Sequence, residues 1–141
     1  MPDIFDNSVD WAGLEVLSVD QCIERLRSAP IGRLGFLEAG EPVILPVNYA
    51  WHERTIVFRT AQGGKLSAAV RARPVCFEVD AWDDASRSGW SVVAKGSAEE
   101  VIDEHEVAAL NTLGVRPWSR PELRVHWVRI RVGELTGREL H

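Results

Sequence analysis

The segment with the clearest chemistry joins the end of a strand to a glycine pair and the start of a helix. Arg59 and Thr60 end an apolar strand pattern, Gly63 and Gly64 follow, and Lys65 begins a helical pattern. A guanidinium, a hydroxyl and the unpaired N–H groups of a helix N-terminus together predict a phosphate-binding site. In the alternative interpretation, Arg59 and Lys65 are solvated surface charges and the glycines form an ordinary turn.

This segment does not match either common nucleotide loop. A Walker loop requires a glycine at position 59 and Ser or Thr after Lys65, where the chain has Leu66, and the dinucleotide pattern GxGxxG is also absent. A lysine at a helix start opposes the helix dipole unless an anion lies nearby. An anionic ligand would remove that conflict.

The elements around this segment alternate between strands and short helices. Ser18 and Gln21 have the spacing of a capping box, which predicts a helix over 19–28. Tight hairpins and strands with alternating apolar residues favour an antiparallel sheet, mostly β, closed into a small β-barrel with peripheral helices. Strands are expected at 32–38, 42–51, 55–60, 75–82, 90–101 and 124–135, and further helices at 65–73 and from Asp103 to about Leu113.

The chain is expected to form one domain. It has 141 residues, of which 45% are hydrophobic and 26% charged, enough for a single core. Residues 1–16 have no regular pattern and predict an N-terminal arm, and residues 17–141 predict a single barrel domain. Within the barrel, Gly96 in the long fifth strand predicts a bulge or a close backbone approach.

Charge and hydropathy exclude several functions. A net charge of −5 argues against nucleic-acid binding, which requires a basic surface. The acidic N-terminal segment lacks the features of a signal peptide, and no apolar run approaches the ~18 residues of a membrane span. Cys22 and Cys76 are expected to be buried free thiols, which predicts a cytoplasmic protein without a membrane partner.

Several segments together resemble a known family. The segments GRLGF, PVILPVNY, IVFRTAQGGKL, PVCFEVD, GWSVVAKGSAEEV and WVRIRVGELTGREL are distributed over residues 32–140, and the resemblance that they carry extends over residues 17–140, nearly the whole chain. They look like the flavin-binding split-barrel proteins related to pyridoxamine 5'-phosphate oxidase, and FRTxxGGKL is the most specific of them. The resemblance implies an antiparallel split barrel of the FMN-binding type. It also implies a homodimer with flavin mononucleotide (FMN) at each end of the subunit interface.

The resemblance also assigns cofactor contacts. The strand that begins at Trp90 and Ser91 would lie near the cofactor and extend towards that of the partner subunit. The phosphate would be held by Arg59, Thr60, Gly64 and Lys65. The isoalloxazine ring would lie along Pro46, Val47, Asn48 and Tyr49, partly on backbone groups.

The implied function is a flavin-dependent oxidoreductase that acts on a small flat or aromatic molecule. The chain ends at 136–141 without the arginine-and-histidine element of pyridoxamine 5'-phosphate oxidases proper, so oxidation of that substrate is not expected. No catalytic residue is assigned, because the flavin itself transfers the electrons. Two alternatives stay open, namely a deazaflavin-dependent reductase of the same fold and a non-catalytic flavin or haem carrier or sensor.

The remaining aromatic and histidine residues yield weaker expectations. His126 is expected to make a structural hydrogen bond rather than bind haem or a metal ion, and no metal site is expected. The face of the last strand that carries Trp127, Arg129 and Arg131 is expected to need a cover, which a dimer interface would supply. The indoles expected to cover that interface and to line a substrate pocket are Trp51, Trp90, Trp118 and Trp127.

Overall fold

The computed structural model describes residues 13–61, 66, 70, 71, 73–118, 120–123 and 126–141. The described strands and helices follow the expected order, with boundaries shifted by a few residues and two short elements added, and the helix expected at 65–73 falls mostly outside the described residues. The elements are β1 (Glu15–Val16), α1 (Val19–Ser28), β2 (Ile31–Glu38), β3 (Glu41–His52), β4 (Thr55–Thr60), β5 (Pro74–Asp83), β6 (Ser88–Val101), α2 (Glu104–Asn111), a 3-10 turn (Pro121–Leu123) and β7 (His126–Leu140).

The strands form one antiparallel sheet that closes on itself. The strand order is β1-β7-β4-β3-β2-β5-β6, and a further pairing of β7 with β6 joins the two ends. Among the described strands, closure leaves the two-residue β1 outside the ring, paired with the far end of β7 through Val16 and Arg138. The expected antiparallel barrel is therefore confirmed, and Glu15 and Val16 of the expected arm take part in its sheet.

The barrel interior is filled by alternate residues of each strand. In β4, Ile56 and Phe58 are buried in the main core, whereas Val57 faces the other side of the sheet. Helix α1 covers one end of the barrel with Cys22 and Leu26, and its predicted capping box is present. No helix in the described ranges is long and apolar enough to cross a membrane.

Helix α2 covers the outer face of the barrel beside β4, β6 and β7. Trp127 is buried under this helix, and its indole N–H donates to Asn111 Oδ1 at 2.8 Å. Arg129 donates to Glu106 of α2 at 2.7 Å and to Glu99 of β6 at 2.6 Å. The expectation that this face needs an external cover is wrong for Trp127 and Arg129, because the chain's own acidic helix covers both.

Two further expectations require correction. The last strand extends to Leu140 instead of ending at residue 135, because its final residues pair with the start of β6 on one side and with β1 on the other. Cys22 is buried as expected, but Cys76 is exposed because it lies on the outer face of β5. The close backbone approach expected at Gly96 is confirmed, since the β6–β7 register shifts between Lys95 and Gly96, and the extra residue of this irregularity is Gly133 on β7.

Candidate functional site

Two of the predicted site residues, Asn48 of β3 and Arg59 of β4, share the outer face of the barrel. Ala50 pairs with Val57 and both face outwards, so Asn48 and Arg59, two residues farther along their strands, face outwards as well. Strand β3 pairs with β4 only over Tyr49–His52, whereas its first part pairs with β2. Within the described residues, the backbone of 46–48 therefore has a strand partner on one side only.

Arg59 is held in place by its neighbours on this face. Its guanidinium carbon lies 5.8 Å from the centroid of the Trp127 ring, and Nη2 donates to the Pro121 carbonyl oxygen at 3.3 Å. Because a guanidinium carries five N–H donors, this contact is compatible with a second, anionic acceptor. Thr60, the next residue, is buried where β4 meets the start of β7.

Asn48 ties three segments together through its side-chain amide. The amide nitrogen donates to the Pro30 carbonyl oxygen at 3.2 Å, and Oδ1 accepts the backbone N–H of Trp118 at 2.9 Å. Asn48 therefore fixes the segment before β7 onto the outer face of β3. The sequence contains no spacing signal for this role, because the three segments are far apart along the chain.

The other predicted residues of β3 differ in orientation. Pro46 is exposed on the outer face, whereas Val47 packs against the barrel core. Tyr49 is buried, packs edge-on against Phe77 at 5.0 Å, and donates its hydroxyl to the Leu26 carbonyl oxygen at 2.5 Å. Burial raises the pKa of the Tyr49 phenol. Only the backbone of Val47 and Tyr49 is thus available to a ligand on the outer face.

The second half of the predicted phosphate site lies outside the described residues. Gly64 and Lys65 both fall in the segment that the structure leaves undescribed. Leu66 and Val70, which follow it, are buried in the main core, as the helical pattern predicted. The contribution of Gly64 and Lys65 to a phosphate site stays a prediction.

Trp90 and Ser91 are not in contact with Arg59 or Asn48 within one chain. The Trp90 ring packs against the core, with the Arg25 guanidinium carbon 5.8 Å from its centroid. Ser91 pairs with Asp80 of β5, and three strand spacings, about 14 Å, separate β6 from β3 across β2 and β5. Their approach to a cofactor therefore stays a prediction that involves the partner subunit.

A carboxyl pair lies between these two parts of the outer face. Arg33 Nη1 is 3.4 Å from Glu78 Oε1 and 3.4 Å from Asp80 Oδ1. Burial and the adjacent Asp80 raise the pKa of Glu78 to about 7, and Arg33 opposes the shift. This pair can hold a proton near neutral pH. The alternation of β5 could have revealed it, because Glu78 and Asp80 must share the face opposite Phe77.

Three histidines in the described ranges, His52, His126 and His141, lie against carboxylates. His126 Nδ1 lies 2.9 Å from Glu100 Oε2, the structural hydrogen bond that was expected. Glu15, Glu139 and His141 bring ligand atoms within 4.8 Å of one another, a cluster that the sequence did not indicate. Arg25 already forms an ion pair with Glu139, and Glu15 raises the pKa of His141. The cluster is explained by these ion pairs alone.

Comparison with known proteins identifies relatives over almost the whole chain. A family model described as pyridoxamine 5'-phosphate oxidase matches residues 18–139. An FAD binding protein from Mycobacterium smegmatis is 35% identical with a TM-score of 0.75, over 89% of this chain and 99% of that chain. A structure from Corynebacterium glutamicum is 37% identical with a TM-score of 0.81, over 90% of this chain and 92% of that chain.

A protein of known sequence extends the comparison. An uncharacterized protein of Mycobacterium tuberculosis is 37% identical over 107 residues, which are 72% of this chain and 70% of that protein. The family match includes α1, α2 and strands β2 to β6, and it ends one residue before the end of β7. Both the barrel and the outer face that carries Asn48 and Arg59 lie inside the matched region.

Proposed function

Because this chain belongs to the pyridoxamine 5'-phosphate oxidase family, we propose that it binds a flavin nucleotide on the outer face of β3 and β4. One observation carries the proposal. Arg59 lies on the outer face beside residues 46–48, whose backbone has a strand partner on one side only. The FAD binding protein from Mycobacterium smegmatis, which is 35% identical to this chain, supports the proposal. FMN is the simplest flavin nucleotide that these residues could hold.

The residues on this face fit the parts of a flavin nucleotide. The fork of Arg59 matches a phosphate group, to which a guanidinium can donate two parallel hydrogen bonds. The backbone groups of residues 46–48 that point away from β2 can bind the polar edge of an isoalloxazine ring where β4 does not pair with them, and Pro46 offers only its carbonyl there. Thr60, Gly64 and Lys65 complete the proposed phosphate contacts.

We propose that the bound flavin makes this chain an oxidoreductase for a small flat or aromatic substrate. A flavin supplies electron and hydride transfer when it is bound, and the protein supplies binding, orientation and exclusion of water. This division of labour requires no acid or base from the chain. A substrate would stack on the ring face that the protein leaves exposed.

We further propose that the site is completed by a second copy of the chain. The outer face of β2, β3 and β5 carries exposed apolar residues, among them Leu37 and Ile44, of which Ile44 is 72% exposed. Together with Pro42, Pro74 and Cys76 they surround a depression of about 410 Å³. Self-association would bury this surface, and would bring β6 of one copy towards the cofactor of the other.

Substitution of Ile44 tests the homodimer. We expect Ile44→Glu to shift the protein from a pair of 15.7 kDa chains to single chains in sedimentation velocity, because a charge would be buried in an apolar contact. Ile102→Glu is the matched control, since Ile102 is 80% exposed but lies between β6 and α2. A wild-type protein that sediments as a single chain would refute the dimer.

A flavin titration tests the cofactor. We expect purified protein to bind FMN in equilibrium dialysis, with an absorbance maximum of the bound flavin at about 450 nm. An absorbance maximum at about 420 nm would indicate a deazaflavin, and an intense haem band would indicate the haem carrier. Anaerobic bleaching of the bound flavin by a nicotinamide nucleotide would separate an oxidoreductase from a carrier. The absence of flavin binding would refute the proposal.

We also propose a cytoplasmic location. Both cysteines are free, and the Cys76 thiol is exposed. An exposed free thiol persists most readily in a reducing compartment.

A further inference from the structure

Trp118 is the exposed indole nearest the proposed phosphate contact. It lies in the segment 114–118 after α2, here called the connector, and it is 73% exposed. Trp51 and Trp90 pack against the main core, and Trp127 is buried under α2. Of the four indoles expected to line a pocket, Trp118 is therefore the one whose ring faces solvent.

The connector is held in a defined position although its indole is exposed. Pro117 is buried, and the backbone N–H of Trp118 donates to Asn48 Oδ1 at 2.9 Å. Three residues later, the Pro121 carbonyl oxygen accepts from Arg59 Nη2 at 3.3 Å. Because Asn48 and Arg59 are neighbours on the outer face, these two bonds fix Trp118 beside the proposed phosphate contact.

The residues around Trp118 match the part of a dinucleotide that FMN lacks. Flavin adenine dinucleotide (FAD) continues from the first phosphate to a second phosphate and an adenosine. The exposed side chains of Arg116 and Arg120 lie on either side of Trp118 in the sequence and offer cations for a second phosphate, which would compete with Glu122 for Arg120, whose Nε lies 3.3 Å from Glu122 Oε1. A flat base stacks on an exposed aromatic ring whatever its hydrogen-bonding pattern.

We propose that Trp118 is the stacking platform for the adenine of FAD, and that FAD is the preferred cofactor of this chain. The proposal rests on the flavin site proposed above, and it deepens that proposal by choosing between two flavin nucleotides. Arg59 would then contact the pyrophosphate, and Asn48 would act as a positioning residue that holds the connector. The 35% identical relative is an FAD binding protein, in agreement with this choice.

Parallel titrations with FAD and FMN test the platform. We expect the wild-type protein to bind FAD more tightly than FMN, and Trp118→Ala to raise the Kd for FAD about 5- to 150-fold. The Kd for FMN is expected to stay within about twofold, because FMN has no adenine. Trp118→Phe keeps an aromatic ring and is expected to retain part of the FAD affinity.

Trp82→Ala is the matched control, because Trp82 is also exposed, at 69%, but lies at the end of β5 away from the connector. This variant is expected to bind both nucleotides as the wild type does. ADP, which contains no flavin, supplies an independent probe. It is expected to compete with FAD for the wild type and for Trp82→Ala, and to lose most of that competition in Trp118→Ala.

Several outcomes would overturn the proposal. Equal loss of FMN and FAD affinity in Trp118→Ala would mean that the indole contacts the flavin ring itself. Equal affinity of the wild type for the two nucleotides would mean that adenosine makes no contact. Failure of the wild type to bind either flavin would overturn the flavin site as well, and is thereby distinguished from failure of the platform alone.

Discussion

Arg59→Ala is expected to lower the affinity for FMN by about 10- to 150-fold. A hydrogen bond to a charged group contributes roughly 1.5–3 kcal/mol, and each 1.4 kcal/mol is a factor of ten in Kd. The Nη2 contact to Pro121 and the Trp127 ring hold the guanidinium in position before a ligand arrives. Because the arginine is already ordered, little of the binding energy is lost in ordering it. Arg59→Ala together with Lys65→Ala is expected to abolish cofactor retention.

Riboflavin separates a phosphate contact from a general disruption of the site. It has the same ring but no phosphate, so its affinity is expected to be unchanged in Arg59→Ala. Arg59→Lys keeps the charge but not the fork, and is expected to lose part of the FMN affinity. Arg131→Ala removes an exposed arginine from neighbouring β7 and is the matched control. If Arg59→Ala bound FMN as the wild type does, the phosphate assignment would be wrong.

The variant is expected to remain folded, which keeps this experiment informative. A cation–π contact such as that between Arg59 and the buried Trp127 ring contributes roughly 0.5–2 kcal/mol. This loss is small beside the stability of a domain of this size, typically about 5–15 kcal/mol. A thermal melt of Arg59→Ala should show that the variant remains folded. A lowered melting temperature together with unchanged FMN affinity would show that Arg59 serves the fold rather than the ligand.

Local patterns predicted the elements of the fold well. The alternation of β4 separates Ile56 and Phe58 from Val57, and the structure places them on opposite faces. The strands expected at 42–51 and 55–60 leave room for a tight turn, and the structure has it at Glu53 and Arg54, although neither residue is the usual Asn or Gly. Both have positive φ, 48° and 65°. The two long strands on either side, rather than the turn residues, therefore determine that hairpin.

The expectation that proved wrong, that Trp127 and Arg129 need an external cover, depends on long-range contacts. The outward position of Trp127 was predicted correctly, but the sequence did not show that α2 folds back over it. The ion pairs of Arg129 with Glu99 and Glu106 join three elements that no spacing rule connects. An amphipathic pattern tells which face of a strand is apolar on average, and it does not identify what covers a mixed face.

The site itself was predicted unevenly for a similar reason. The family resemblance indicated Arg59 and the strand around Asn48, and both lie on one outer face. The same alternation that buries Val47 already implied that the Tyr49 side chain points inwards, so that only its backbone could contact a ring. The hydrogen bond between Asn48 and the backbone of Trp118 could not be predicted, because its geometry depends on the path of the connector.

Gly96→Ala is expected to destabilise the barrel wall strongly. A Cβ at position 96 would lie 2.0 Å from the Arg131 carbonyl oxygen and 3.2 Å from the Val132 Cα. Both atoms belong to the backbone of β7, so no side-chain rotation can relieve the clash. The bulge lies in the β6–β7 pairing that closes the barrel. Overpacking of this kind costs about 3 kcal/mol or more, which should lower the melting temperature by about 10 °C.

Gly133→Ala provides the control for this prediction, because Gly133 is the residue of β7 that the same bulge leaves unpaired. Its added Cβ would approach only the Lys95 carbonyl oxygen, at 3.7 Å, an ordinary van der Waals distance. It is therefore expected to melt within about 2–3 °C of the wild type, a shift that corresponds to less than about 1 kcal/mol. If Gly96→Ala had the same melting temperature as the wild type, Gly96 could not lie against the backbone of β7. The barrel would then have to close through a different register of β6 and β7.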